Sequence, residues 1–203
     1  MKVLKALPLI LLFFTNIGLS SDTTLKYIQI SNQKQTESDK IVIYEFFWYG
    51  CPHCYNLEPT MGRIESNLEK DTILVKVPVA LRDTWESHAK AYYALQQMNL
   101  DDNLHEKIFT EIHINSNRLD TKEKLTQFIE DEGYNSKRFS EIFDSFGTDL
   151  RVKKASRLAN QYQITSVPTL IINGKYKTSG SFVSSYEELY DVVQLLINKE
   201  RIN

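Results

Sequence analysis

The sequence predicts an α/β fold that begins and ends in a sheet and carries an α-helical insertion between the two halves. Three observations predict it. Ile41 to Phe47 and Ile73 to Val79 are apolar, β-branched or aromatic runs separated by a helical pattern. That is a βαβ unit, a connection almost always right-handed. From Thr84 the apolar period turns helical and stays so to about residue 162, with no strand signal between. Sheet character returns at Pro168-Thr169-Leu170-Ile171-Ile172, ahead of Asn173-Gly174 and a last amphipathic stretch. A length of 203 residues suits one domain, or one domain with an insertion.

In chain order, residues 21–39 are polar and poorly patterned, with one short strand expected at Lys26 to Ile30. The unbroken Ile41–Phe47 run suits a strand buried on both faces of a partly parallel sheet. Gly50 ends it. A helix then begins at Cys51, because Pro52 fits the first helical position, where an N–H has no partner to lose. Tyr55, Leu57, Met61, Ile64 and Leu68 give that helix an apolar face, and Pro59 predicts a kink in it. Helices follow near 85–98, 102–113, 121–132, 136–146 and 149–162. Asp120 and Asn135 read as N-caps, Gly133 and Gly147 as stops. Asn173-Gly174 is the strongest short hairpin signal, and Lys175 to Thr178 is its return strand. Ser185-Tyr186-Glu187-Glu188 is a capping box, and Leu189, Val192, Val193, Leu196 and Ile197 form the stripe of the final helix.

Net charge is -2 with no basic tract, which argues against nucleic acid and anionic membrane surfaces as partners. The first residues stand apart. Lys2 and Lys5 precede an apolar Ala6 to Phe14, and Gly18-Leu19-Ser20 places small residues where a signal peptidase reads. Residues 1–20 are therefore read as a secretory signal peptide cleaved after Ser20. Its apolar core is shorter than the ~20 residues that span a bilayer, and Asn16 interrupts it. With no cysteine near the cleavage position, a lipoprotein anchor has no attachment point. Export implies an oxidising compartment.

Chemistry concentrates in Glu45-Phe46-Phe47-Trp48-Tyr49-Gly50-Cys51-Pro52-His53-Cys54. Cys51 and Cys54 are the only 2 cysteines, set within one helical turn. So short a gap reads as a catalytic dithiol rather than a staple. Cys51, at the helix start, is the expected nucleophile: unpaired N–H groups and the positive dipole end hold a thiolate there. His53, when protonated, adds charge beside it, and Pro52 starts the helix. Cys54, one turn in, is the expected shielded, resolving thiol. The competing reading is half of a zinc site completed by His88, His105 or His113, but no second ligand pair stands at metal spacing, so no metal is expected. Glu45 is a carboxylate inside a buried strand, and Lys76 is the matching oddity in the next one. Parallel neighbours bring such a pair together, and a buried Glu with a raised pKa holds or relays a proton near the resolving thiol. Trp48 and Tyr49 are expected to border an apolar groove for unfolded substrate, with Tyr92 and Tyr93 in the helical core.

Cys-x-x-Cys at a βα junction, followed by Val-Pro-Thr, a hairpin and a helix, resembles the thioredoxin fold. The resemblance narrows with Glu45-Phe46-Phe47, Tyr49 to Cys54, His88-Ala89-Lys90-Ala91-Tyr92-Tyr93, Val167-Pro168-Thr169-Leu170 and Asn173-Gly174-Lys175-Tyr176. These are similar to the DsbA family of periplasmic thiol:disulfide oxidoreductases, over essentially the whole chain past the leader. The 117 residues from Cys51 to Pro168 leave room for the helical insertion that this family carries and plain thioredoxin lacks. Trp48 departs from the pattern, standing where the family more often has a small or polar residue, so a bulkier surface is expected beside the cysteines.

Pattern and resemblance together give a thioredoxin-like domain of residues 21–83 and 153–203 around an inserted helical domain of residues 84–152. The resemblance implies a cis Val167–Pro168 bond facing the dithiol, with the backbone at Val167 pairing with an extended substrate. It implies that a redox-active Cys51–Cys54 disulfide is donated, through a mixed disulfide at Cys51, to reduced, unfolded, newly exported proteins in the periplasm. It also implies a DsbB-like, quinone-linked membrane oxidase as the source of oxidation, and no soluble cofactor. Nothing in the sequence suggests more than a monomer. A disulfide isomerase or reductase is the alternative in the same chemistry, but periplasmic types carry a dimerisation domain or tether for which residues 21–40 leave little room. A peptide- or metal-binding chaperone with an incidental dithiol is the alternative from another class.

Overall fold

The structure is a computed structural model that describes residues 25–31 and 38–202; the expected leader lies outside them. Five strands form one sheet in the order β1-β5-β4-β2-β3. They are β1 (Ile28–Gln29), β2 (Ile41–Phe47), β3 (Thr72–Pro78), β4 (Thr169–Ile172) and β5 (Tyr176–Thr178). Only β2 and β3 run parallel, joined through α1 (Pro52–Ser66) as the βαβ unit requires. The other neighbours are antiparallel. The hairpin between β4 and β5 turns at Asn173 (φ 48) and Gly174 (φ 68), the positive-φ pair of a type I′ turn. The strand expected at Lys26 to Ile30 shortens to Ile28–Gln29 on the sheet edge.

Between β3 and β4 run α2 (Glu86–Met98), α3 (Asp101–His113), α4 (Lys122–Asp131), α5 (Ser136–Phe143) and α6 (Phe146–Gln161). The chain closes with α7 (Tyr186–Ile202). Two helix signals differ from expectation. Thr121, not Asp120, caps α4 by accepting from the Lys124 N–H, which frees the Asp120 carboxylate to pair with Lys124 and Arg118. Gly147 is not a stop but lies in the first turn of α6, which Ser145 caps. Asn135 caps α5 as its type predicts, and Gly133 (φ 81) ends the α4 turn in the left-handed region. At α7 the box is half formed as expected. Ser185 Oγ accepts from the Glu188 N–H, but the Glu188 carboxylate returns to Ser184 rather than Ser185.

Period-2 alternation decides which way β2 points its side chains. Ile43 packs with Leu57, Met61 and Ile64 of α1 and with Leu189, Val193 and Leu196 of α7. Phe46, on the opposite face, packs with Ala155 and Ala159 of α6 and with Tyr162 just past its end. Each such aliphatic side chain, fully buried, contributes about 1.5–3 kcal/mol. Phe47 turns instead into a third cluster with Ile108, Phe109, Leu125 and Phe139 of the inserted helices, and that cluster also contains Cys51 and Cys54. The dithiol thus sits where the sheet meets the helical insertion.

Candidate active site

β2 delivers the chain to a tight turn, closed by the Cys51 N–H donating to Trp48 O at 3.0 Å. Gly50 is required there by close approach: a Cβ would lie 2.3 Å from the Trp48 ring. Cys51 is the extended N-cap residue of α1 and Pro52 its first helical residue. Pro52 and His53 are exposed, whereas Cys51 is only 8% exposed and Cys54 fully buried. Both cysteines are free thiols.

The two sulfurs are treated in opposite ways. A hydrogen bond from the Cys54 thiol lowers Cys51 from 9.0 to about 6, against a desolvation cost, with help from the Cys54 and His53 N–H groups and last from the His53 charge. The Cys54 thiol thus does more than the backbone N–H groups expected to hold the thiolate, and the His53 ring does least. Burial pushes Cys54 far above the ordinary thiol range, reinforced by Cys51 and by the field of Glu45.

Behind Cys54 lies a chain of charges. Glu45 is fully buried and stands opposite Lys76 in the parallel register of β2 and β3. Lys76 Nζ donates to Glu45 Oε2 at 3.3 Å and to Glu58 Oε2 of α1 at 3.4 Å. Burial raises Glu45, and Lys76 offsets that only in part. Burial pushes Glu58 up too, but His105 and Lys76 outweigh it and hold Glu58 below its ordinary value. For Lys76 desolvation is the largest influence and works downward, yet the carboxylates override it and raise the ammonium. One cation is thus shared between two carboxyls that differ in proton affinity.

On the other side of Cys51, the Val167–Pro168 bond is cis. The Cys51 thiol donates to Val167 O at 3.5 Å, which brings together two site residues 116 positions apart. A groove of about 400 Å³ opens beside them, lined by His53, Val167, Pro168, Ser179, Gly180 and Tyr186 among others. Tyr186 Oη donates to His53 O at 3.0 Å and so joins α7 to the start of α1.

Tyr49 is a correction. It is fully buried, not part of a groove, because α3 covers it with Phe109 and His105. Trp48 is half-buried and stacks on Trp85 at 4.0 Å and 5°, which gives the bulk expected beside the cysteines. Tyr92 and Tyr93 lie in the helical core as expected. The three histidines of the zinc alternative are engaged elsewhere. His88 Nε2 meets the carbonyls of Arg118 and Leu119, His113 Nε2 donates to Tyr49 O, and His105 lies between Tyr49 and Glu58. Glu58 and Tyr186 were missed in the sequence, and His105 was considered there only as a zinc ligand. Only Glu58 left a signal, standing four residues after Cys54 on the same helix.

A dithiol at a βα junction, the carbonyl preceding a cis-proline against its first sulfur and an insertion roofing the site define a thioredoxin-like protein with a helical domain. Residues 42–191 match the DSBA-like thioredoxin domain family. The chain is 33% identical over 177 residues to the thiol:disulfide interchange protein DsbA of Pseudomonas aeruginosa, covering 87% of this chain and 84% of that one. It is 35% identical over 162 residues to the DsbA of Pseudomonas syringae pv. tomato, covering 80% and 76%. The crystal structure of Pseudomonas aeruginosa DsbA superposes with a TM-score of 0.83 at 32% identity, covering 87% of this chain and 93% of that chain. DsbA from Xylella fastidiosa has the same fold, with a TM-score of 0.80 at 24% identity over 88% and 96%. This chain belongs to the DsbA family.

Proposed function

We propose that this chain is a dithiol oxidase that donates a Cys51–Cys54 disulfide to reduced proteins newly exported to the periplasm. As a DsbA-family member it is a thiol:disulfide oxidoreductase. The observation that gives the reaction its direction is the opposed proton affinity of the two sulfurs. A substrate thiolate attacks the Cys51 sulfur, the Cys51–Cys54 bond breaks, and its electron pair leaves on Cys54. Buried Cys54 then takes up a proton, which Glu45 supplies, and Lys76 holds the carboxylate left behind. A second substrate thiolate attacks the substrate sulfur of the mixed disulfide, and Cys51 departs as a thiolate. Two electrons have passed from the substrate to the protein. Only the reduced form enjoys the stabilised Cys51 thiolate, so the disulfide is a ready oxidant and Cys51 a good leaving group.

The groove beside Val167 and Pro168 suits an extended substrate strand, with the Val167 backbone as its pairing edge and His53 at its rim. Pro52 and His53 complete the catalytic turn. A DsbB-like, quinone-linked membrane oxidase restores the disulfide, and the leader places the protein in the periplasm. Among the described residues no helix is long and apolar enough to cross a membrane. We also propose the two-part organisation of residues 21–83 and 153–203 around 84–152. Its supporting observation is that the second half of α6, from Ala155, packs on the sheet.

Equilibration of residues 21–203 with glutathione buffers tests the reading. The expected potential is far more oxidising than thioredoxin's about −270 mV. A thioredoxin-like value would make the protein a reductase, and no exchange at all would favour a peptide- or metal-binding chaperone.

A further inference from the structure

The charge chain behind Cys54 does not end at Lys76. Glu58 Oε2 lies 3.2 Å from His105 Nε2, and His105 Nδ1 lies 2.9 Å from Tyr49 Oη. His105 is buried against the rings of Phe47, Tyr92 and Phe109. Together with Glu58, Lys76 and Tyr92 it lines a cavity of about 350 Å³.

We propose that His105 is a positioning residue for thiol exchange: held in one tautomer by Tyr49, it keeps Glu58 ionised and so keeps the network's proton on Glu45. This rests on the reading of Glu45 as the proton donor to Cys54.

One contact selects the tautomer. A buried Tyr49 hydroxyl is satisfied when it donates to Nδ1, 2.9 Å away, and that arrangement leaves the neutral ring's own hydrogen on Nε2, the nitrogen 3.2 Å from Glu58 Oε2. The other tautomer would set a nitrogen lone pair against a carboxylate. The ionisable groups around the ring come from every packed element: Glu58 from α1, Glu45 and Tyr49 from β2 and its turn, Lys76 from β3, Tyr92 from α2, and Asp101 and Glu106 from α3 itself. Glu45 and Glu58 share one ammonium, and two buried carboxylates on one cation do not both ionise readily. The close approach of His105 Nε2, 3.2 Å from Glu58 Oε2, tips that balance toward an ionised Glu58. Glu58 acts on Glu45 more strongly than His105 does directly. Loss of His105 therefore moves the proton from Glu45 to Glu58.

The test is single-turnover oxidation of a dithiol peptide by the oxidised protein, from about pH 5 to 9. His105→Phe keeps the ring and removes the donor. The limb that falls with rising pH should move down by about one unit, with about tenfold slower turnover at neutral pH. His105→Gln, whose amide can still donate to Glu58, should recover most of the loss. Tyr49→Phe, which frees the tautomer without removing a ring, should give a smaller shift of the same sign and serves if His105→Phe fails to fold. Profiles of these variants that overlay the unmodified protein overturn the proposal. So does a His105→Phe shift that persists in a Glu45→Gln background, since it would not run through Glu45. A Glu45→Gln profile that itself matches the unmodified protein removes the underlying reading instead.

Discussion

The active-site turn has an open side and a closed side, and its two cysteines face one each. On the open side stand Cys51, the exposed Pro52 and His53, the Val167 carbonyl and a groove of about 400 Å³. On the closed side Cys54 is fully buried, in front of Glu45, Lys76, Glu58 and His105. Two residues of sequence separate a thiol lowered to about 6 from one pushed far above the thiol range. The comparison teaches that helix position and burial, not residue type, assign the roles. The Cys54 thiol and then the N–H groups of the first turn reach Cys51, and one turn deeper such groups are spent inside the helix. Desolvation then decides for Cys54.

The strongest way to break the comparison is to remove each sulfur in turn. Cys51→Ser should lose turnover by at least about 10³-fold, as expected when a nucleophile is deleted. Cys54→Ser should instead trap oxidised substrate as a mixed disulfide at Cys51, seen on non-reducing gels. Trapping by Cys51→Ser would reverse the roles. Glu45→Gln comes next, with exchange slowed about tenfold and its pH dependence flattened. An unchanged profile would return Glu45 to a purely structural part. The smallest effect is on stability. The folded Cys51 pKa lies below its ordinary 9.0, so its contribution to the reduced protein is fully present above pH 9 and is lost as pH falls toward 6. At about 1.4 kcal/mol per unit, screened by solvent on the open side, the loss is about 2–4 kcal/mol. Denaturant titrations at several pH values read it, and reduced Cys51→Ser protein should lack that slope.

Much of this was legible in the sequence because it depends on local chemistry. A proline at N1 and a β-branched run place Cys51 at a helix start whatever packs above it. Glu45 and Lys76 could be paired because each is a charge in an apolar strand and a βαβ link makes those strands neighbours. The cis bond before Pro168 followed from the family resemblance, since its residues alone favour trans. What was not legible depends on distant segments. Tyr49 is buried by α3, more than fifty positions later, so its hydroxyl meets His105 instead of solvent. The spacing of Glu58 from Cys54 places it on the same helix face, but its partner Lys76 arrives only with β3. At Asp120 and Thr121 two adjacent residues can both cap, and the Asp120 ion pairs leave the cap to Thr121.

Titration of the reduced protein by thiolate absorbance, with Cys51→Ser and Cys54→Ser as references, tests the division most directly. The account predicts one thiolate appearing near pH 6, absent from Cys51→Ser, and no second one up to about pH 10, above the ordinary thiol range. Two thiolates titrating together near the ordinary thiol value would contradict it.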